Sequence, residues 1–258
     1  MGPWLAPEEL LLFLFILART AALLTALPIF GGPGVPLHAR IGLAALTAVL
    51  LYTAVDPVPV PGDLGELAVV LVRETAVGLV MGFAVSLAFW ALQVAGHLMD
   101  VPIGFGMVNV LDPQLGMQVP IMGQFFHVLA TLIFFVINGH HTVLRSLAAS
   151  YRLIPIGSAV WHGSVAETAV SVVGGMFAFA FRFALPVIAA AFLADVALGI
   201  LSRAVPQINV FITGFPIKVV LGIAAALLAL PVYVGVLAAV FGDNGDMMRW
   251  LWSFLAAL

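Results

Sequence analysis

The stretch TAVGLVMGFAVSLAFWALQVAGHLM, Thr75–Met99, runs for 25 residues without one Asp, Glu, Lys or Arg. A helix needs about 20 apolar residues to cross the hydrocarbon core of a bilayer. The stretch therefore predicts a membrane helix with length to spare. Gly78 and Gly82 lie four apart within it, the small-xxx-small spacing that lets two helix backbones approach closely.

The same length rule applies in both directions from this segment. Toward the N-terminus, Leu10–Phe30 is an apolar run interrupted by Arg19, and Gly31–Pro36 breaks the chain. Ile41–Val55 is a second, shorter run, closed by the Pro-rich turn Asp56–Asp63. Met1-Gly2-Pro3-Trp4 carries no Lys or Arg, and Glu8 and Glu9 stand where a signal peptide has its basic region. The first run is accordingly expected to be a retained helix. Toward the C-terminus, Val101–Gly123 is rich in Gly and Pro, and Gln124–Ile137 resumes an apolar helical pattern. Asn138–Gly157 is polar and turn-prone. Val165–Ser202 and Val210–Val240 are long apolar runs, and Asp246–Leu258 is a short amphipathic tail. The expectation is an all-α hydrophobic protein of about six long helices in hairpins, forming one domain over 1–258.

Composition agrees. The chain has 258 residues, 64% hydrophobic and 8% charged, with mean hydropathy +1.22. A soluble domain is about 25% charged, so no water-facing surface of ordinary kind is available. Net charge is −3 with no basic block, which argues against nucleic acid. The chain has no cysteine, which excludes disulfides and thiolate chemistry. His140 and His141 point apart on a helix and have no nearby Asp, Glu or Cys to complete a metal set. His97 and Asp100, at i, i+3 spacing, are expected to form a local pair. Gly-x-Ser-x-Gly, P-loop and paired-carboxylate patterns do not occur, and no enzyme is expected. Loop charges give no regular alternation under the positive-inside rule. Some segments then hairpin without crossing, or sit inside protein.

Two features stand out against this background. The segment Gly104–Met122 is full of turn formers yet carries one charge, Asp112, and holds three of the nine methionines, Met107, Met117 and Met122. Irregular backbone at membrane depth must be covered by protein or line a cavity, and methionine fills irregular gaps. The segment reads either as a buried connector or as a seal that yields when something passes. The second feature is a set of charges in apolar surroundings: Arg19, Arg182, Asp195, Arg203 and Lys218. Such residues usually face protein or water. Asp195 and Arg203 are separated by about 12 Å along a helix and about 80° around it, too far to touch. Each charge needs a partner on another helix or another subunit.

A set of short pieces, in order, resembles the FliR family of the flagellar type III export gate and its injectisome counterparts. The pieces are Pro28–Gly31 with Pro36, Arg40 and Ile41; Glu74 through Gly78 and Gly82; Ala95–Asp100; Asn109–Gln118; and Gly139-His140-His141 with Ser150, Tyr151 and Pro155. Leu185-Pro186, Asp195, Gly199, Arg203, Pro206–Phe211 and Pro216-Ile217-Lys218 complete the set.

The resemblance implies a non-catalytic subunit without a cofactor, in the bacterial inner membrane at the flagellar basal body. Its implied partners are FliP-like, FliQ-like and FlhB-like subunits, and unfolded flagellar proteins would pass through the portal that they form. It implies a FliP-like part over about 1–180 and a FliQ-like hairpin over about 181–245. It places a pore plug on the loop with Gly104, Phe105, Gly106, Met107, Asp112, Pro113, Gln114, Gly116, Met117 and Met122. It makes Arg182, Asp195, Arg203, Gln207, Asn209 and Lys218 candidates for subunit contact. The competing reading is a secondary transporter using the intrahelical charges near helices broken at Pro186 and Pro216. Transporters of that kind show two similar halves, and 1–128 and 129–258 show no convincing repeat. A membrane scaffold subunit is the third reading.

Overall fold

A computed structural model describes residues 7–32, 34–56, 61–105, 120–161, 163–207 and 209–258. The described residues form helices joined by turns, with no strand among them. In chain order the helices are α1 (Pro7–Ala26), α2 (Pro28–Gly31), α3 (Leu37–Tyr52), α4 (Leu64–Ile103), α5 (Ile121–Val136), α6 (Gly139–Leu153), α7 (Ser164–Ala204), α8 (Val210–Phe241) and α9 (Asp246–Ala257).

Four segments are long and apolar enough to cross a membrane: Pro7–Ala26, Leu64–Ile103, Ser164–Ala204 and Thr213–Ala257. The α5–α6 pair raises the number to five if it counts as one span. The six expected runs differ from this for two reasons. The Ile41–Val55 run becomes α3, whose 16 residues reach about 24 Å, short of a core of about 30 Å. The turn-prone segment after Ile137 is itself mostly helix, α6. Conversely, α4 has 40 residues and α7 has 41, which makes each about 60 Å long, twice the bilayer core.

The contacts divide the chain into two compact units. The first comprises the chain through Ala88, Asn138–Val172 and Phe241–Leu258. Its core begins with α1, which buries Leu12, Phe15, Ile16, Arg19, Thr20, Leu23 and Leu24, a stripe at helical spacing. The first half of α4 lies directly on α1. A Cβ added at Gly78 would stand 2.2 Å from the Arg19 carbonyl oxygen, and one at Gly82 would stand 2.4 Å from the Ala26 Cβ. The close backbone approach read from the glycine pair is therefore present. Ser86 Oγ extends it by donating to Ala26 O at 2.8 Å. Arg40 closes the turn before α3, donating to Val35 O at 3.1 Å and to Gly32 O. In α6, Asn138 starts the helix in the left-handed conformation at φ 60°, which asparagine tolerates. Thr142, Val143, Ser146, Leu147, Ser150 and Tyr151 then form its buried face. Amphipathic α9 buries Met247, Met248, Leu251, Phe254 and Leu255.

The second unit comprises Phe89–Ile137 and Val173–Val240. Phe126 sits edge-on to Phe183 and Tyr233, at 5.0 and 5.1 Å between ring centroids, while Phe183 and Tyr233 stack at 4.3 Å. Edge-to-face and offset pairs at such distances are the favoured geometry of aromatic cores. Two pairings, Phe183 with Tyr233 and Asp195 with Lys218, step in opposite directions along α7 and α8. The two helices in this unit are therefore antiparallel. Asn209 begins α8, its carbonyl accepting from Thr213 N at 3.0 Å, a position that asparagine favours.

Candidate functional site

The polar groups of this apolar chain gather at three places. The first lies in the core of the first unit. Arg19, on α1, and Glu74, on α4, are fully buried and joined by a 2.7 Å ion pair from Nε to Oε2. The other guanidinium nitrogens are also used: Nη1 donates to Ser150 Oγ at 3.0 Å and Nη2 to Ile154 O at 3.0 Å. The guanidinium carbon stands 4.1 Å from the centroid of the Tyr151 ring, within reach of a cation–π contact. The second carboxylate oxygen of Glu74 accepts from Gly157 N at 3.0 Å. Gly157 O accepts from Arg73 Nη1 at 2.6 Å, and Gly157 has φ +76°, where a side chain is strained. One ion pair thus ties together α1, α4, α6 and the turn after α6. All its charged groups are satisfied, so its chemistry is to hold rather than to react. Arg19 and Glu74 were both visible in the sequence, but 55 residues of separation hid their pairing.

The second place is where α4 ends and α5 begins, in the second unit. Gly104, at φ +102°, terminates α4: Gly104 N and Phe105 N both donate to Asp100 O at 3.1 Å, the 6→1 closure of a glycine-capped helix end. A Cβ at Gly104 would also meet the Phe215 ring at 3.1 Å. Met122 is buried in α5, and its N–H donates to Asp100 Oδ1 at 3.0 Å. The expected local pairing of Asp100 with His97 persists as a charge–charge interaction within one helix, without direct contact. Among the described residues Asp100 makes no ion pair with His97, which is exposed. Its carboxylate turns inward to the α5 amide, where a helix N-terminus favours negative charge. Gly106, Met107, Asp112, Pro113, Gln114, Gly116 and Met117 of the expected plug lie outside the described residues.

The third place is the α7–α8 pair. Asp195 Oδ1 and Lys218 Nζ lie 2.7 Å apart, with side-chain exposures of 50% and 22%. Arg182, Arg203, Gln207 and Asn209 are exposed. Among the described residues neither Arg182 nor Arg203 forms an ion pair. The expectation that each intrahelical charge needs a partner from outside its helix is met inside the chain for Arg19 and Asp195, and not for these two arginines. Around them α7 presents Phe177, Phe181, Leu185, Phe192, Leu193 and Ile200, each at least 44% exposed.

Residues 10–243 match the family described as Bacterial export proteins, family 1. The chain is 33% identical to the flagellar biosynthetic protein FliR of Bacillus subtilis over 240 residues, covering 92% of this chain and 93% of that one. It is 27% identical to FliR of Escherichia coli over 85% of this chain and 84% of that one. It is also 31% identical to the Yop proteins translocation protein T of Yersinia pestis, over 83% of this chain and 84% of the relative. A match of this extent, spanning the pieces that the sequence singled out, places the chain in the FliR family of bacterial export proteins.

Proposed function

We propose that this chain is a structural and gating subunit of the flagellar type III protein export apparatus, in the bacterial inner membrane at the basal body. The observation that carries the proposal is α7. It is about 60 Å long and apolar, with 28% of its most apolar window buried, and it exposes Arg182 near its middle. A bilayer core of about 30 Å cannot cover such a helix, and an arginine facing lipid is costly. Water is a poor neighbour for its exposed phenylalanines. Other protein subunits satisfy all three constraints. FliP-like and FliQ-like chains, with an FlhB-like chain, are the proposed neighbours, and unfolded flagellar proteins the cargo of the portal that they form. Similarity to FliR of Bacillus subtilis and to the Yop proteins translocation protein T of Yersinia pestis supports the type III export setting.

In this reading residues up to about 180 form a FliP-like part and 181–245 a FliQ-like hairpin, consistent with antiparallel α7 and α8. The loop with Gly104, Phe105, Gly106, Met107, Asp112, Pro113, Gln114, Gly116, Met117 and Met122 is the plug that seals the resting channel. Arg182, Arg203, Gln207 and Asn209 face neighbouring subunits, with the Asp195–Lys218 pair between them. The test is a native pull-down of the tagged chain from detergent-solubilised membranes of its own host. Recovery of FliP-like and FliQ-like chains in one large complex supports the proposal. A lone monomer, under conditions that keep other membrane complexes intact, contradicts it and returns weight to the transporter reading.

A further inference from the structure

Helix α5 begins with a deficiency. Its N-cap residue is Pro120, which makes no side-chain hydrogen bond to the first turn. The leading N–H groups of a helix have no intrahelical partner, and a Ser, Thr, Asp or Asn at the N-cap normally accepts from the second or third of them. Met122 is the second residue of α5, and its N–H is accepted by Asp100. Asp100 therefore performs the N-cap function from 22 residues away. The same residue also ends α4, because its carbonyl oxygen accepts from both Gly104 N and Phe105 N. Asp100 is 4% exposed, and the amides of both Met122 and Gly123 act on its carboxylate. A surface cap needs no such burial.

The backbones beside this clasp meet without any side chain between them. A Cβ at Gly96 would stand 2.2 Å from Gly123 N and 2.3 Å from Gly123 Cα. The end of α4 and the start of α5 are thus pressed together by a glycine contact and stitched by one aspartate. We infer that Asp100 is a positioning residue that fixes, side by side, the two stems from which the connection between α4 and α5 emerges. Its carboxylate sets the α5 stem and its carbonyl the α4 stem. On the function proposed above, in which that connection is the plug, Asp100 holds the two stems beside the plug in place from outside it.

The test is hydrogen–deuterium exchange of the full chain in its purified complex, read on peptides covering 121–124, with peptides in 64–88 as the internal reference. Asp100→Ala is expected to speed exchange at 121–124 roughly tenfold, the scale of a lost N-cap, and to leave 64–88 unchanged. Asp100→Asn, which keeps an oxygen acceptor, is expected to stay near the parent. Pro120→Ser in the Asp100→Ala background supplies a cap from the helix itself and is expected to restore protection, an outcome that a general packing defect would not give. Unchanged exchange in Asp100→Ala overturns the inference, as does loosening that neither Asp100→Asn nor Pro120→Ser corrects. Ion leak through the complex, measured on the same variants, separates the two claims. Loosened stems with increased leak support both, whereas loosened stems with unchanged leak leave the clasp standing and contradict the plug.

Discussion

Replacing Arg19 by methionine removes the cation from the core of the first unit while keeping most of its apolar volume. Glu74 Oε2 then loses its 2.7 Å partner, and Ser150 Oγ and Ile154 O each lose a 3.0 Å donor. Breaking a buried pair from one side costs about 3–5 kcal/mol, because the surviving charge stays buried and uncompensated. At about 2–4 °C per kcal/mol for a chain of this size, the expected loss of Tm is roughly 6–20 °C. The double variant Arg19→Met/Glu74→Gln removes both charges, and the amide oxygen introduced at position 74 still accepts from Gly157 N. Replacing both members of a buried pair is often close to neutral. The double variant is therefore expected to recover most of the loss, with a coupling energy of at least about 2 kcal/mol in the cycle. The assay is thermal unfolding in detergent by tryptophan fluorescence, with the amount of folded protein in membranes as a second reading. A single variant within about 2 °C of the parent, on the same scale, would refute the reasoning. So would a double variant no more stable than Arg19→Met.

Other outcomes follow from the same geometry. Gly78→Val and Gly82→Val drive side chains into α1 backbone and Cβ positions 2.2–2.8 Å away. Each is expected to lower stability by about 1–3 kcal/mol or more, seen as reduced accumulation in membranes, while Gly199→Ala, with open space around its Cβ and a better helix former in place of glycine, should not reduce it. The partly exposed Asp195–Lys218 pair should tolerate the charge exchange Asp195→Lys/Lys218→Asp better than either single change, by about 0.5–1 kcal/mol, measured by denaturant midpoint. Arg182→Glu leaves the Tm of the isolated chain within about 2 °C, since surface changes of this kind are usually within about 0.5 kcal/mol. It is nevertheless expected to reduce recovery of partner chains in the pull-down.

Hydropathy windows and glycine spacing made α1, α4, α7 and α8 legible in the sequence, because a helix that must avoid water announces itself by composition. Helix α6 did not announce itself. Its Asn138-Gly139 start and Pro155 exit are turn signals, and its histidines, serines and arginines lower its hydropathy. Yet its buried residues at 142, 143, 146, 147, 150 and 151 follow helical spacing, a periodicity signal that a hydropathy window averages away. The intrahelical charges were legible as sites that demand a partner, whereas the partner was not. That Arg19 meets Glu74 depends on the register of α1 against α4, which the Gly78 and Gly82 contacts set and which no single-helix pattern contains. Spacing rules found the His97 charge near Asp100 but not its hydrogen-bond partner, because they describe neighbouring side chains and that partner is a backbone amide 22 residues away. Pro120 was the available clue: a helix that begins at a proline N-cap takes its cap from elsewhere.

The central claim, that this chain gates a protein export channel through the connection between α4 and α5, is tested most directly by ion leak. A deletion within 106–119 would be introduced into the chain, the complex with its partners purified and shown to be assembled, and ion flux measured in liposomes against the intact complex. The account predicts that the shortened connection raises the leak of the resting channel. An unchanged leak from a fully assembled complex would contradict it.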